Sequence, residues 1–287
     1  MPTEALREIA ATDFNLGRTL DSGQVFHWER CGNGYAGTIG PSAVYVEQRR
    51  NRLFVTGATP EVIRNYFALD HPLRQICRSF PNDPAMRSAR DFCRGLRIIR
   101  QARWECLATF ITSSMKQVAH IRQISQTLRK RYGKRQRVFD FEVHSFPPAH
   151  RIAELTEQDL LACALGYRAK HLLATARLTG SSNIDLEQWS ELPDESLRAR
   201  LCELPGVGAK VANCVMLFAY ERLRAFPIDV WIERVLQQEY FPRQPKMTKT
   251  QLSAFCETYF GEHGGYAQQY LFHHARTGGA VPRVAEK

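Results

Sequence analysis

Lys210 and Asp229 stand nineteen residues apart in a chain of 287, and they are the pair best suited to covalent chemistry. A neutral primary amine attacks an electrophilic carbon to give a Schiff base, and a carboxylate beside it stabilises developing positive charge. Lys210 closes the segment Leu204-Pro205-Gly206-Val207-Gly208-Ala209-Lys210 and falls in the first turn of an expected helix. There the helix dipole opposes its charge; with partial burial, this lowers the amine pKa and makes the neutral nucleophile accessible. The same position also suits a simple phosphate contact. Asp229 lies in AFPIDVWIERV, after Pro227 and before an apolar-periodic run, so it also reads as a helix N-cap. A helix of about 11 residues and a short return bring residue 229 back towards Lys210. The pair, rather than either member, points to a reaction.

The elements that must position this pair are two amphipathic helices, LRARLCE and KVANCVMLFAY, joined by a turn in which Gly206 and Gly208 bracket Val207. Without Cβ atoms the turn is tight, and the backbone N–H groups of Gly206, Gly208 and the residues through Val211 point outward at a helix N-terminus. Such a helix-hairpin-helix grips a DNA phosphate without reading a base. A bare helix connector is the alternative.

Further out, residues 13 to 60 read as strands: FHWER, YAGTIG, AVYVEQ and LFVTG, separated by turns at CGNG and RRN. From Pro60 onward apolar residues recur at helical spacing, with Thr156 opening one helix, Gly133 and Gly180 closing two, and Pro147-Pro148 breaking the chain. The expected class is α+β. A twisted antiparallel sheet domain with a flanking helix, residues 1–95, packs on a mostly α-helical body, residues 96–287, with the helix-hairpin-helix near 196–220.

Composition agrees with a nucleic-acid partner: 39 Lys and Arg against 29 Asp and Glu give a net charge of +10, and a polyanion is bound by counterion release. The eight cysteines, Cys31, Cys77, Cys93, Cys106, Cys163, Cys202, Cys214 and Cys256, are scattered without a CxxC pair. That suits reduced thiols, and an iron-sulphur cluster is excluded on ligand count. The N-terminus has charges where a signal peptide needs an apolar core, and no stretch reaches the ~18 apolar residues of a membrane span. The expectation is a soluble intracellular monomer, in bacterial cytoplasm and nucleoid or in a eukaryotic nucleus, with no membrane partner.

LPGVGAKVANC followed by PIDVW resembles the signature of the helix-hairpin-helix-GPD glycosylase superfamily, whose lysine variant marks the bifunctional members. LDSGQVFHW, FITSSMKQVAHI, HSFPPAH, LGYRAKHLLATA and GYAQQYLF resemble, in order and over most of the chain, the 8-oxoguanine DNA glycosylase/AP lyase group. This resemblance implies that Lys210 displaces the damaged base from a double-stranded DNA partner and that Asp229 supports the charge. It implies that the Gly23 carbonyl accepts the N7–H peculiar to 8-oxoguanine, that Gln268 meets the Watson–Crick edge, and that Cys214 and Phe272 sandwich the everted base. Each also has a plainer reading: a turn glycine, an exposed glutamine, core residues on apolar helix faces. Tyr167 would wedge into the stack and Arg168 would face the orphaned base. Carbonyls of Cys202, Leu204 and Val207 resemble a set that holds a structural cation, monovalent or divalent; the chemistry itself needs no cofactor.

The chain departs from eukaryotic-type members at Met115, Lys116 and His120, where asparagines and an arginine recognise the opposite cytosine, and at Trp231, where a histidine meets a phosphate. Methionine has no hydrogen-bonding edge to offer cytosine, so relaxed opposite-base choice is expected. Two rivals remain: a glycosylase of the same fold acting on alkylated purines, which lacks the lysine, and a non-catalytic DNA-binding module using only the hairpin.

Overall fold

The order of turns and apolar runs in the first 60 residues becomes a meander in the computed structural model, which describes residues 5–113, 117–181 and 184–278. Strands β1 (Arg7–Ala10), β2 (Glu29–Cys31), β3 (Gly34–Ile39), β4 (Ser42–Arg49) and β5 (Arg52–Thr56) form one antiparallel sheet in the order β1-β5-β4-β3-β2. Helix α1 (Leu16–Leu20) interrupts the expected strand region, and within FHWER only Glu29 and Arg30 join a strand. Val44, Val46, Leu53 and Val55 are fully buried and pack with Ile63, Tyr66 and Phe67 of the following segment.

The helical body comprises α2 (Pro60–Tyr66), α3 (Leu73–Arg78), α4 (Pro84–Phe92), α5 (Arg103–Ser113), α6 (Val118–Tyr132), α7 (Ala149–Ala153), α8 (Glu157–Leu161), α9 (Arg168–Gly180), α10 (Asp194–Cys202), α11 (Ala209–Ala219), α12 (Val230–Val235), α13 (Lys249–Tyr259) and α14 (Gly264–Thr277). Thr156 opens α8 with a capping box completed by Asp159, which satisfies two backbone groups at once. A hairpin that helical periodicity does not announce, β6 (Arg135–Val138) with β7 (Phe141–His144), follows α6 and lies against β3 and β4. It covers Tyr45 and Ala36 on the sheet face opposite α2, so the sheet is buried on both sides.

The apolar core has two main clusters. Residues from Ile9 to Phe67, together with Ile99, fill the space under the sheet, whereas Leu73, Ile76 and Met86 of α3 and α4 join the helical core. Helices α3 and α4, which the sequence groups with the sheet, therefore pack with the helices, α4 lying on α14. Two helices run through the centre of the body. Every α5 side chain from Cys106 to Ser113 is buried, as is α14 from Gly264 to Leu271.

Candidate active site and DNA-facing hairpin

The turn that presents Lys210 is set by local rules. Leu204 N–H donates to Leu201 and Val207 N–H to Leu204, while the Leu204 and Val207 side chains are buried. Gly206 has φ +81°, and a Cβ there would stand 2.7 Å from the Cβ of His171, so both conformation and contact require glycine. Gly208, with open space around it, is the N-cap of α11 and supplies no capping side chain. The first-turn N–H groups of Ala209, Lys210 and Val211 have no intrahelical acceptor, which leaves an anion-binding helix end. Val211 is itself a core side chain, so only its backbone N–H can meet an anion.

Lys210 occupies the second position of α11 and is half-buried. Its ammonium donates to Ser113 Oγ at 3.3 Å and lies 5.2 Å above the centroid of the Phe110 ring, both on α5. Phe110 is in turn stacked on Phe218 of α11, with rings 5.4 Å apart and 12° from parallel. Neither Ser113 nor Phe110 was singled out by the sequence, although both lie in the FITSS stretch.

After α11 the chain returns through a loop tied by Ala225 N–H to Arg222 O and by Gly265 N–H to Leu223 O. Ala225, Phe226 and Pro227 are buried there. At Gly265 a Cβ would come within 2.2 Å of Leu217, so α14 starts flush against α11. Asp229 caps α12, its carboxylate accepting from Ile232 N–H at 2.9 Å. Capping and proximity to the lysine hold together. Burial raises the Asp229 carboxyl above the usual range, and the N–H of Ile232 and the Lys210 charge draw it partly back. One turn beyond Lys210, the buried Cys214 thiol is pushed up to about 11 by burial; Lys210 lowers it and Asp229 raises it. Lys210, Ser113 and Cys214 thus lie along the α5–α11 contact, and the Asp229 carboxyl at the head of α12 is within electrostatic reach of Lys210 and Cys214.

Gly23 has φ +88°, and a Cβ there would lie 3.0 Å from Phe272 Cε1 and 3.8 Å from Val118, placing its backbone against the half-buried Phe272 ring. The segment is pinned on both sides. Gln269 Nε2 donates to Ser22 O at 3.0 Å, Gln24 Nε2 to Thr19 O and Arg97 O, and Gln101 Nε2 to Gln24 O. These glutamines were missed as positioning residues, although Gln24 and Gln269 are neighbours of residues that were chosen. Gln268 is buried, and its Oε1 has no hydrogen-bond partner among the described residues. An unpaired buried acceptor costs about 1–3 kcal/mol, which a ligand donor can recover. Gly23→Ala is expected to combine roughly 1–2 kcal/mol of backbone strain with a push on Phe272. On the expectation that the Gly23 carbonyl meets the damaged base, it should reduce base excision while leaving imine formation at a preformed abasic site intact. Equal losses on the two substrates in single-turnover assays would argue against a base-pocket role.

Beside the hairpin, Tyr167 is 53% exposed at the start of α9 and makes an edge contact with His171, which underlies Gly206. Tyr167, His171 and the hairpin thus form one continuous row; His171, one turn after Tyr167, was another residue missed. Arg168 is buried, its guanidinium 4.3 Å over the Tyr167 ring and donating to Leu165 O. His120 is exposed near the start of α6, and Trp231 carries Arg234 5.9 Å above its ring. Met115 and Lys116 lie outside the described residues. Of the three carbonyls at the hairpin, that of Leu204 already accepts from Val207 N–H at 3.1 Å. Among the described residues no cluster of His, Cys, Asp and Glu could hold a metal, and no helix is long and apolar enough to cross a membrane.

Residues 8–107 match the family model for the 8-oxoguanine DNA glycosylase N-terminal domain, and residues 108–258 match that for HhH-GPD superfamily base excision DNA repair proteins. The N-glycosylase/DNA lyase OGG1 of Arabidopsis thaliana is 29% identical, over 92% of this chain and 78% of its own length. The structure of MBOgg1 with a low-affinity DNA ligand superimposes with a TM-score of 0.91 at 29% identity, covering 97% of this chain and 98% of that one. An 8-oxoguanine glycosylase/lyase of Clostridium acetobutylicum, solved with double-stranded DNA containing cytosine opposite 8-oxoguanine, gives 0.88 at 29% identity, covering 96% and 99%. The lysine-bearing hairpin and the capping aspartate both fall within the second of these matches, and the chain belongs to the HhH-GPD superfamily of base excision DNA repair proteins and carries the N-terminal domain of 8-oxoguanine DNA glycosylases.

Proposed function

We propose that this protein is a DNA glycosylase and AP lyase that excises 8-oxoguanine from double-stranded DNA. The observation that carries the reading is the half-buried Lys210 amine at the start of α11, donating to Ser113 Oγ at 3.3 Å, with the Asp229 carboxyl that caps α12 within electrostatic reach of it. In this scheme the neutral amine attacks sugar C1′, the C1′–N9 bond breaks, and the base leaves with the bonding pair and takes up a proton. The attached nitrogen loses a proton, its lone pair forms C1′=N as the C1′–O4′ bond breaks, and O4′ takes up a proton, so the ring-opened sugar is held as a protonated imine, which acidifies the C2′ hydrogen. Loss of that proton breaks the C3′–O bond and releases the 3′ phosphate, and water hydrolyses the imine to restore Lys210. Asp229 offsets the positive charge on the sugar and positions the amine.

Base recognition falls to the Gly23 carbonyl as acceptor for N7–H and to Gln268 for the Watson–Crick edge, with Cys214 and Phe272 on the two faces. The unpaired Oε1 of Gln268 supports that role. Tyr167 fills the gap beside the everted nucleotide, and Arg168 leaves its ring to probe the orphaned base. His120 and the N–H groups of Gly206, Gly208 and Val211 meet the DNA. Carbonyls of Cys202, Leu204 and Val207 would hold a cation that bridges to phosphate; as neutral donors they suit an ion whose charge the phosphate completes.

Opposite-base choice is relaxed in this reading, because Met115, Lys116 and His120 replace the cytosine-reading set. Borohydride trapping on 8-oxoguanine duplexes with each of the four opposing bases tests both points. A covalent complex is expected in every case. Absence of trapping overturns the lyase reading, and a cytosine preference above about a hundredfold, ~2.7 kcal/mol, overturns the relaxation.

A further inference from the structure

Lys210 rests on a floor that accepts only one end of its amine. Ser113, the buried last residue of α5, has a single hydroxyl hydrogen, which it donates to Phe110 O at 2.8 Å. With that hydrogen committed, Ser113 Oγ meets Lys210 Nζ, 3.3 Å away, purely as an acceptor. A hydroxyl free to rotate would donate to the lone pair of the neutral amine and blunt the nucleophile; this one is held back by the Phe110 carbonyl. The Phe110 ring beneath Nζ acts in the same sense, since its negative face attracts N–H and repels a lone pair. Stacking on Phe218 fixes that ring.

We propose that Ser113 is a positioning residue for the nucleophile. Together with Phe110 it takes the N–H side of the Lys210 amine and directs the nitrogen lone pair away from α5. The inference rests on the reading of Lys210 as the attacking group. Its new content is that the Ser113–Phe110 hydrogen bond holds the hydroxyl as an acceptor in both protonation states of the lysine.

The test is single-turnover borohydride trapping on duplexes carrying a preformed abasic site, across a pH series, for wild type, Ser113→Ala and Ser113→Thr. Ser113→Ala should slow imine formation on the plateau by about tenfold. It should also move the acid limb to lower pH, because the ammonium loses an acceptor that favoured it. Duplex affinity and melting temperature should stay as in wild type, and Ser113→Thr, which keeps the hydroxyl, should restore rate and limb. A Ser113→Ala variant with the wild-type rate and pH profile overturns the proposal by itself, since deleting the hydroxyl introduces no new contact. So does a loss in Ser113→Ala that a normally folded Ser113→Thr leaves uncorrected. Failure of wild type to trap at all would instead remove the glycosylase/lyase reading on which the inference stands.

Discussion

Lys210→Gln should lose borohydride trapping altogether and cut base excision by roughly four orders of magnitude, ~5.5 kcal/mol of transition-state stabilisation, while still binding lesion DNA. The two outcomes separate because the hairpin and the amine do different work. Phosphate is gripped by the N–H groups at the start of α11, where Gly208 leaves the helix end open. Glutamine keeps those groups and roughly the length of the lysine, yet its amide nitrogen is no nucleophile. Direct binding to an abasic-site duplex, measured beside trapping, checks the separation. A Gln variant that still traps would assign the imine to another amine; one that neither binds nor traps would show that the substitution had disturbed the hairpin.

Asp229→Asn should lower excision by about 10²–10³-fold and yet raise the melting temperature near neutral pH. Asparagine caps a helix about as well as aspartate, so the bond from Ile232 N–H survives and α12 stays in place. What disappears is the charge. Burial raises the Asp229 carboxyl above the ordinary carboxylate range, so the native protein holds that proton more tightly than the unfolded chain does. Stability therefore falls as pH rises from the ordinary carboxylate range through the raised native value, and above it the ionised group costs the fold its full penalty. Asparagine carries no such penalty. The melting gap between variant and wild type should be widest near neutrality and close as the pH drops through that window. Thermal melts over a pH series decide the point: a variant that melts below wild type at neutral pH would mean that the charge favours the fold. The expected exchange of stability for activity is typical of a charge held in a half-buried site for chemistry.

Sequence periodicity and turn chemistry reach a long way in this chain. The run from Gly34 to Thr56 reads as strands because glycine and asparagine turns separate β-branched stretches, and these become β3, β4 and β5. The β6–β7 hairpin does not read so, because Arg135, Arg137, Phe141 and Glu142 occupy its exposed positions and only Val138 is fully buried to mark a period of two. Helix α14 is obscure for the opposite reason. It is buried nearly all round, so its glycines and glutamines lack the polar stripe of a surface helix.

The candidate site divides along the same line. Lys210 and Asp229 announce themselves through local signals, a glycine hairpin and a cap, each legible within about ten residues. Gly23, Gln268 and Phe272 are legible only through family resemblance, and Ser113, Phe110, Gln24, Gln269 and His171 carry no local signal of their own. Their roles depend on neighbours far along the chain: Ser113 meets Lys210 97 positions away, and Gln269 holds Ser22 247 positions away.

The linear chain by itself determined most of the element types, α1 and the β6–β7 hairpin excepted, together with the tight turn before Lys210 and the charge that favours a polyanion, because these follow from backbone sterics, periodicity and composition within short windows. Only the tertiary structure decided which acceptor meets the lysine, that burial overrides the cap in setting the Asp229 proton, and that Gly23 lies against Phe272. Those are properties of packed surfaces and excluded water, which exist only once distant segments share one core.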